Sequence, residues 1–204
     1  MSAPIRILLA DDQALVRGAL SALLDLEPDL QVVVEVGSGD AVLPAIREHQ
    51  PDVALLDVEM PGMDGITAAG LVRDEFPGVR VLIVTTFGRP GFLRRALQAG
   101  VSGFVVKDTP AAALADAVRR VHAGLRVVDP ALATDSLIAG ESPLTARETE
   151  VLQAAQGGAS VAAIAAKLFL SEGTVRNHLS SAIGKTGAGN RAEAVRNATE
   201  NGWL

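Results

Sequence analysis

The sequence lacks cysteine and tyrosine, has a single tryptophan, and is only 3% aromatic. The absence of cysteine excludes disulfides, thiolate metal sites and cysteine nucleophiles, and is typical of a protein in the reducing cytoplasm. Few aromatic side chains disfavour single-stranded nucleic-acid binders, which stack bases on such side chains. No apolar run approaches the roughly 20 residues of a membrane span, and the first residues do not resemble a signal peptide. We expect a cytoplasmic protein without a membrane segment.

Apolar residues are plentiful, and charge is unevenly distributed. The chain has 204 residues, of which 49% are hydrophobic, enough for one large or two small domains. Residues 1–143 carry 12 Lys and Arg against 19 Asp and Glu, a net charge of -7, whereas residues 144–204 carry 6 against 5, a net charge of +1. If the protein contacts DNA, we therefore expect the C-terminal part to do so.

The N-terminal part alternates short apolar runs with helical patterns. Such runs, rich in β-branched residues, are typical of strands buried on both faces of a parallel sheet. The five runs are Ile5–Ala10, Val32–Val36, Val53–Leu56, Val81–Val84 and Phe104–Val106. The pattern predicts a doubly wound α/β domain with five parallel strands over residues 1–123. Residues 124–143, interrupted by Gly and Pro, are interpreted as a linker with a short helical turn.

From Leu144 onward the pattern is helical. Thr145 and Glu148 have the spacing of a capping box, and the first helix should stop at Gly157 and Gly158. A second helix should begin after Ser160, a third near Glu172, and a fourth should span about Asn190 to Asn201. The short turn 169–171 joins the second and third helices, so residues 144–204 are predicted to form a four-helix unit with a helix-turn-helix.

Polar residues follow four of the predicted strands. Asp11 and Asp12 follow the first strand, Asp57 the third, Thr85 the fourth and Lys107 the fifth. Because parallel strands bring their carboxyl ends to one edge of the sheet, these side chains should converge there. Clustered carboxylates suit Mg²⁺, and a carboxylate beside Mg²⁺ and Lys can attack a phosphoryl group. The sequence therefore predicts a magnesium site with a carboxylate nucleophile.

Asp11-Asp12, the segment 56–65 (LDVEMPGMDG), Thr85 and Lys107 resemble the receiver domain of a bacterial two-component response regulator. The resemblance covers nearly all of residues 5–123. It implies that Asp57 is the phosphoacceptor, and that Mg²⁺ is held by Asp12, Asp57 and the backbone carbonyl of Glu59, with Asp11 completing the acid pocket. It also implies a switch pair, Thr85 and Phe104, in which Phe104 turns inward on phosphorylation.

The third C-terminal helix has two dissimilar faces. Its apolar stripe is Val175, Leu179, Ala182 and Ile183, and its opposite face carries Thr174, Arg176, Asn177, Ser180 and Ser181. Such polar side chains suit base edges and phosphates in a major groove. Lys185, at the end of the helix, suits either a DNA phosphate or the helix C-terminus.

Residues 144–152 (LTARETEVL) and 171–178 (SEGTVRNH) resemble the LuxR-type DNA-binding domain, which places the chain in the NarL/FixJ class of response regulators; its ending resembles the DesR-like branch. The resemblance implies that Arg176 and Asn177 face bases and that Thr174 and Lys185 meet the DNA backbone. It further implies phosphorylation by a sensor histidine kinase, homodimerisation, binding to double-stranded promoter DNA, and RNA polymerase as a possible further partner. Activation and repression both remain open.

The resemblance implies two candidate receiver surfaces for the dimer contact. One surrounds the fourth helix, fifth strand and fifth helix; the other combines the first and fifth helices, with Leu15, Leu23 and Val118 nearby, and the DesR-like ending favours it.

Two rival functions remain. A haloacid-dehalogenase-type enzyme needs an Asp where Glu59 stands, and a LuxR-type sensor of a small ligand needs an apolar pocket. We expect a regulator and not an enzyme.

Overall fold

The computed structural model describes residues 3–86, 90–129, 132–134 and 142–204. The chain divides into two compact units, an N-terminal α/β unit that extends to Thr134 and a C-terminal helical unit. In the described ranges, no helix combines the length and the apolar character needed to cross a membrane.

The N-terminal unit is a parallel sheet with helices on both faces. Its strands are β1 (Ile5–Ala10), β2 (Leu30–Val36), β3 (Val53–Leu56), β4 (Arg80–Thr85), β5 (Gly103–Val106) and β6 (Val127–Val128). Their order in the sheet is β2-β1-β3-β4-β5-β6. The helices are α1 (Ala14–Leu24), α2 (Val42–His49), α3 (Gly65–Glu75), α4 (Pro90–Ala99) and α5 (Ala111–His122). The predicted parallel α/β fold is confirmed.

The central strands are apolar throughout because both of their faces are covered. Leu8 and Leu56 join a core cluster with residues of α2, α3 and α4. Ile7 and Leu55, the adjacent residues, join a second cluster with residues of α5 and Leu24 of α1. Alternate side chains of a strand point to opposite faces, so both sets must be apolar.

The sheet contains one strand more than the five predicted. Val127 and Val128 pair with Gly103 and Phe104 of β5, inside the segment 124–143 that was interpreted as a linker. A run of two apolar residues is too short for its sequence pattern to predict a strand. Residues 132–134 are helical, and the buried Leu132 packs in the sheet's core cluster. Pro130 and Gly140, two of the residues that suggested a linker, lie outside the described ranges.

Between residues 142 and 204, the C-terminal unit contains four α-helices at the predicted places, α6 (Ala146–Ala155), α7 (Val161–Leu168), α8 (Glu172–Lys185) and α9 (Arg191–Glu200). The side chains of Thr145, Ser160, Ser171 and Asn190 each accept a backbone N–H at a helix start. The predicted capping box is present. Gly157 has a positive φ of +74, a left-handed conformation that glycine adopts easily. The helix therefore ends where the sequence predicted.

Glu148, the acidic member of that capping box, is buried and also binds α8. Its Oε2 accepts hydrogen bonds from the Thr145 backbone N–H and from the Lys185 ammonium, both at 2.7 Å. Its Oε1 accepts one from the Ser181 hydroxyl, also at 2.7 Å. Burial opposes the charged form, but these bonds outweigh it and lower the pKa of Glu148 to about 2. One carboxylate therefore fixes the start of α6 against the end of α8.

We predict that Glu148→Gln weakens the helical unit in a pH-dependent way. Because the folded-state pKa lies below the ordinary value of 4.5, the ionised carboxylate stabilises the unit above pH 4.5. That stability, on the order of 2 kcal/mol after allowance for the partly exposed Lys185, disappears as the pH falls towards 2. The variant should lose most of this pH dependence in urea unfolding followed by Trp203 fluorescence, since Trp203 packs on the helical core.

The matched control is Glu150→Gln, because Glu150 pairs on the exposed surface with Arg147. It should retain the parental pH dependence. A Glu148→Gln profile that coincides with that of the parent would contradict the assignment.

Candidate metal centre and nucleic-acid interface

Three carboxylates meet at the carboxyl edge of the sheet. Asp11 directly follows β1 and Asp57 directly follows β3, and both are buried, whereas Asp12 is exposed. Each offers an oxygen, and these oxygens all lie within 4.8 Å of one another. The structure thus brings the three predicted acidic residues together because β1 and β3 are neighbours in the sheet.

Lys107 bridges the two buried carboxylates. Its Nζ lies 2.7 Å from Asp11 Oδ2 and 2.9 Å from Asp57 Oδ2. Burial raises the pKa of Asp57, and the ion pair with Lys107 counteracts this only in part. Burial also disfavours the Lys107 ammonium, but hydrogen bonds to Asp11 and Asp57 outweigh it and raise the pKa of Lys107. Three carboxylates against one ammonium leave a net negative pocket, which suits a divalent cation.

Backbone groups fix the buried carboxylates. Asp57 Oδ1 accepts a hydrogen bond from the Val58 N–H at 2.8 Å, and Asp11 Oδ1 accepts one from the Gln13 N–H at 2.9 Å. The segment after Asp57 folds back closely: a Cβ on Gly65 would lie 1.8 Å from the Asp57 carbonyl oxygen. Only glycine permits this approach. Glu59 lies inside this turn with an exposed side chain.

The expected switch residues lie on adjacent strands. Thr85 ends β4 and is 2% exposed, and its carbonyl accepts a hydrogen bond from the Lys107 N–H at 2.8 Å. Phe104 in β5 is fully buried in the core cluster that also contains Leu132. The inward position that the resemblance assigns to the phosphorylated state is thus the position of Phe104 in this structure.

Arg17 of α1 also contacts the acid pocket, although its position in the sequence does not mark it as a site residue. Its Nη1 donates a hydrogen bond to the Asp11 backbone carbonyl, and its Nε lies 3.5 Å from Glu35 Oε2. The only signal in the sequence is a cationic residue five positions after an acidic pair, which is a common arrangement near a helix start.

The proposed recognition helix α8 has the two faces that its sequence indicated. Val175, Leu179 and Ala182 are buried in the core of the helical unit. On the opposite face, Thr174 is half-buried, and the exposed residues are Arg176, Asn177, Ser180 and Ser181. Arg176 forms an exposed ion pair with Glu172 at 2.6 Å, and Lys185 is paired with Glu148 as described above.

The α1 surface expected at a dimer contact is only partly as predicted. Leu15 is 86% exposed and Leu23 is 43% exposed. Val118 of α5, expected beside them, is fully buried in a core cluster of the sheet. Its helical spacing placed it on the inner face of α5, so it takes no part in this surface.

Comparisons with known proteins agree with both units. The family model "Response regulator receiver domain" matches residues 7–119, and the model "Bacterial regulatory proteins, luxR family" matches residues 142–198. The chain is 42% identical over 200 residues to the transcriptional regulatory protein DesR of Bacillus subtilis, covering 98% of this chain and 99% of DesR. It is 38% identical over 203 residues to the probable transcriptional regulatory protein NarL of Mycobacterium tuberculosis, covering 95% and 93% of the two chains.

The solved structure of the response regulator ChrA, from a heme-sensing two-component system, matches with a TM-score of 0.61 and 36% identity over the full length of both chains. These relatives are regulators and not enzymes, so the dehalogenase-type alternative is wrong. The chain belongs to the bacterial two-component response regulators that join a receiver domain to a LuxR-type DNA-binding domain.

Proposed function

We propose that this protein is a transcription regulator switched by Mg²⁺-dependent phosphorylation of Asp57. A cognate sensor histidine kinase supplies the phosphoryl group in the cytoplasm, and phosphorylation promotes homodimerisation and binding to double-stranded promoter DNA. The observation that carries this proposal is the cluster of Asp11, Asp12 and Asp57 bridged by Lys107. RNA polymerase is a candidate partner of the DNA-bound dimer.

The donor set of the acid pocket fits Mg²⁺. Its ligands would be the Asp12 and Asp57 carboxylates and the Glu59 backbone carbonyl, with Asp11 completing the negative charge. Mg²⁺ prefers hard oxygen ligands and keeps room for phosphate oxygens. When bound, it neutralises the charge between a carboxylate and a phosphoryl group. The closeness of the Asp11, Asp12 and Asp57 oxygens supports this assignment.

We assign the nucleophile to Asp57 and not to Asp11 because Asp57 lies in the segment 56–65, at the position that resembles the receiver phosphoacceptor. Its Oδ1 is fixed by the Val58 N–H, and its Oδ2 faces Lys107. The carboxylate attacks the phosphorus atom, an aspartyl-phosphate forms, and the leaving group departs from the opposite side. Lys107 then holds phosphoryl oxygens, with the Thr85 hydroxyl as a second donor. This phosphoryl group adds about -1.5 to -2 charge beside Lys107. It draws the Thr85 hydroxyl towards it, and the movement of Thr85 against Phe104, which is already buried, reshapes the receiver surface.

We assign the dimer contact to the outer face of α1. Leu15 and Leu23 are exposed large apolar side chains on this helix, and Leu26 just after it is 78% exposed. Large apolar side chains exposed on one helix and just after it favour a surface that pairs. Dimerisation matters for DNA binding because a helical domain of net charge +1 neutralises few phosphates. Two tethered copies raise the effective concentration of each on its half-site.

Helix α8 is the segment that we place in the major groove. The exposed side chains of Arg176, Asn177 and Ser180 face away from its core stripe and suit base edges. Thr174 and Lys185 would meet the DNA backbone. Lys185 uses one N–H on Glu148, and an ammonium has two more N–H donors for a phosphate.

The first test concerns the phosphoacceptor. Asp57→Asn keeps the size of the side chain and removes its nucleophilic charge, so uptake of phosphate from a small radiolabelled phosphodonor in Mg²⁺ should fall to background. The matched control is Asp52→Asn, because Asp52 is a carboxylate at the opposite end of β3. This variant should take up radiolabelled phosphate as the parent does. Labelling of the Asp57 variant at the parental rate would reject the assignment.

The second test concerns DNA docking, measured on DNA flanking the gene for this protein and on a scrambled fragment. Arg176→Ala should weaken the free energy of binding to the specific fragment by about 1–3 kcal/mol and reduce the preference for that fragment over the scrambled one. Lys185→Ala should weaken binding to both fragments alike. It should also reduce by about 1 the slope of the logarithm of the binding constant against the logarithm of the salt concentration. Arg147→Ala removes a similar surface ion pair on α6 and is the control. It should change neither the affinity for the two fragments nor the salt dependence of binding. Exchanged outcomes for Arg176 and Lys185 would contradict the docking.

The third test concerns dimerisation. Sedimentation of the full chain with Mg²⁺ and beryllofluoride, a mimic of the acyl phosphate, should show a dimer that Leu15→Glu abolishes, because the charge lies in the proposed contact. Leu97→Glu, on the exposed side of α4, should leave the dimer intact. Loss of the dimer in the Leu97 variant alone would instead locate the contact on the surface around α4.

A further inference from the structure

The guanidinium of Arg17 connects three elements beside the acid pocket. Arg17 lies in the first turn of α1, and its side chain is 20% exposed. Its Nη1 donates to the Asp11 backbone carbonyl, in the turn between β1 and α1. Its Nε faces Glu35 near the end of β2 at 3.5 Å. The side chain thus links α1 and β2 to the turn that carries the two acidic residues.

The carbonyl that accepts this bond belongs to the peptide group between Asp11 and Asp12. A peptide group is planar, so fixing the direction of its carbonyl also fixes the N–H and Cα of Asp12. The Asp11 carboxylate has its own partners, Lys107 and the Gln13 N–H. Across the residues that the structure describes, no hydrogen bond or ion pair holds the Asp12 carboxylate.

We propose that Arg17 is a positioning residue for the metal centre. It holds the Asp11–Asp12 peptide so that the exposed Asp12 carboxylate stays within reach of Asp57, and it thereby lowers the cost of assembling the site around Mg²⁺. This inference rests on the proposed Mg²⁺-dependent function. Groups that orient metal ligands, without touching the metal, typically change metal affinity by 10- to 100-fold.

Charge and position predict opposite effects, and this makes the proposal testable. If Arg17 acted only as a nearby positive charge, its removal would strengthen the binding of a cation. If it positions Asp12, its removal weakens that binding. Arg17→Met removes both charge and hydrogen bonds, whereas Arg17→Lys keeps the charge but loses the planar fork that bridges two acceptors.

The experiment is a titration of the full chain with Mg²⁺ alone. Binding is measured by calorimetry and by the NMR chemical shifts of the Asp11–Gln13 amides. We expect both Arg17 variants to bind Mg²⁺ about 10-fold more weakly than the parent. Phosphorylation of Asp57 should slow at limiting Mg²⁺ and recover at saturating Mg²⁺. The matched controls are Arg73→Met and Arg73→Lys. Arg73 also donates to a backbone carbonyl, that of Ala99 at 3.0 Å, but at the C-terminal ends of α3 and α4; its variants should bind Mg²⁺ as the parent does.

Three results would overturn the proposal. Unchanged Mg²⁺ affinity in both variants, even with a lowered Tm, would make Arg17 a purely structural residue. Tighter binding by Arg17→Met with no change in Arg17→Lys would reduce its role to charge. Absence of Mg²⁺ binding by the parental chain would overturn this inference together with the proposed function, whereas parental binding with unaffected variants would overturn the inference alone.

Discussion

The ion pairs between one ammonium and two buried carboxylates are the constraint on which the acid pocket depends. Asp11 and Asp57 lie side by side because β1 and β3 are neighbours, and burial would oppose their ionisation without a cation. Lys107 follows β5, and β4 separates β5 from β3. Its long side chain reaches across the end of β4 to both carboxylates. The sheet order therefore selects a lysine, whose flexible stem and compact charge can span one strand.

Much of this arrangement could be predicted from the sequence. The strand runs were recognisable because both faces of β1 and β3 are buried, which removes the polar alternation of a half-exposed strand. The acidic residues and Lys107 directly follow such runs, so the rule for parallel sheets was enough to bring them together. The helix starts of the C-terminal unit were recognisable because capping is local: each of Thr145, Ser160, Ser171 and Asn190 bonds within three residues of itself.

The features that escaped prediction depend on contacts between distant segments or on very short ones. Strand β6 has two residues, and Leu132 packs on the sheet although the domain was predicted to end at residue 123. The spacing of Leu114, Val118 and Val121 marks the inner face of α5, and the expectation that Val118 lies at a dimer surface overlooked it. Glu148 was recognisable as a capping residue, but its bonds to Ser181 and Lys185 cross 33 and 37 residues of sequence. No local pattern encodes that distance.

The central claim is that Lys107 holds the acid pocket together through two simultaneous ion pairs. The most direct measurement is the ¹⁵N NMR titration of the Lys107 side-chain ammonium in the full chain, in the parent and in Asp57→Asn. The account predicts that parental Lys107 stays protonated above its ordinary pKa of 10.5, because two carboxylates stabilise its charge, and that its pKa falls when Asp57 is neutralised. A parental pKa at or below 10.5, unchanged by the Asp57 substitution, would contradict the bridge and with it the account of the site.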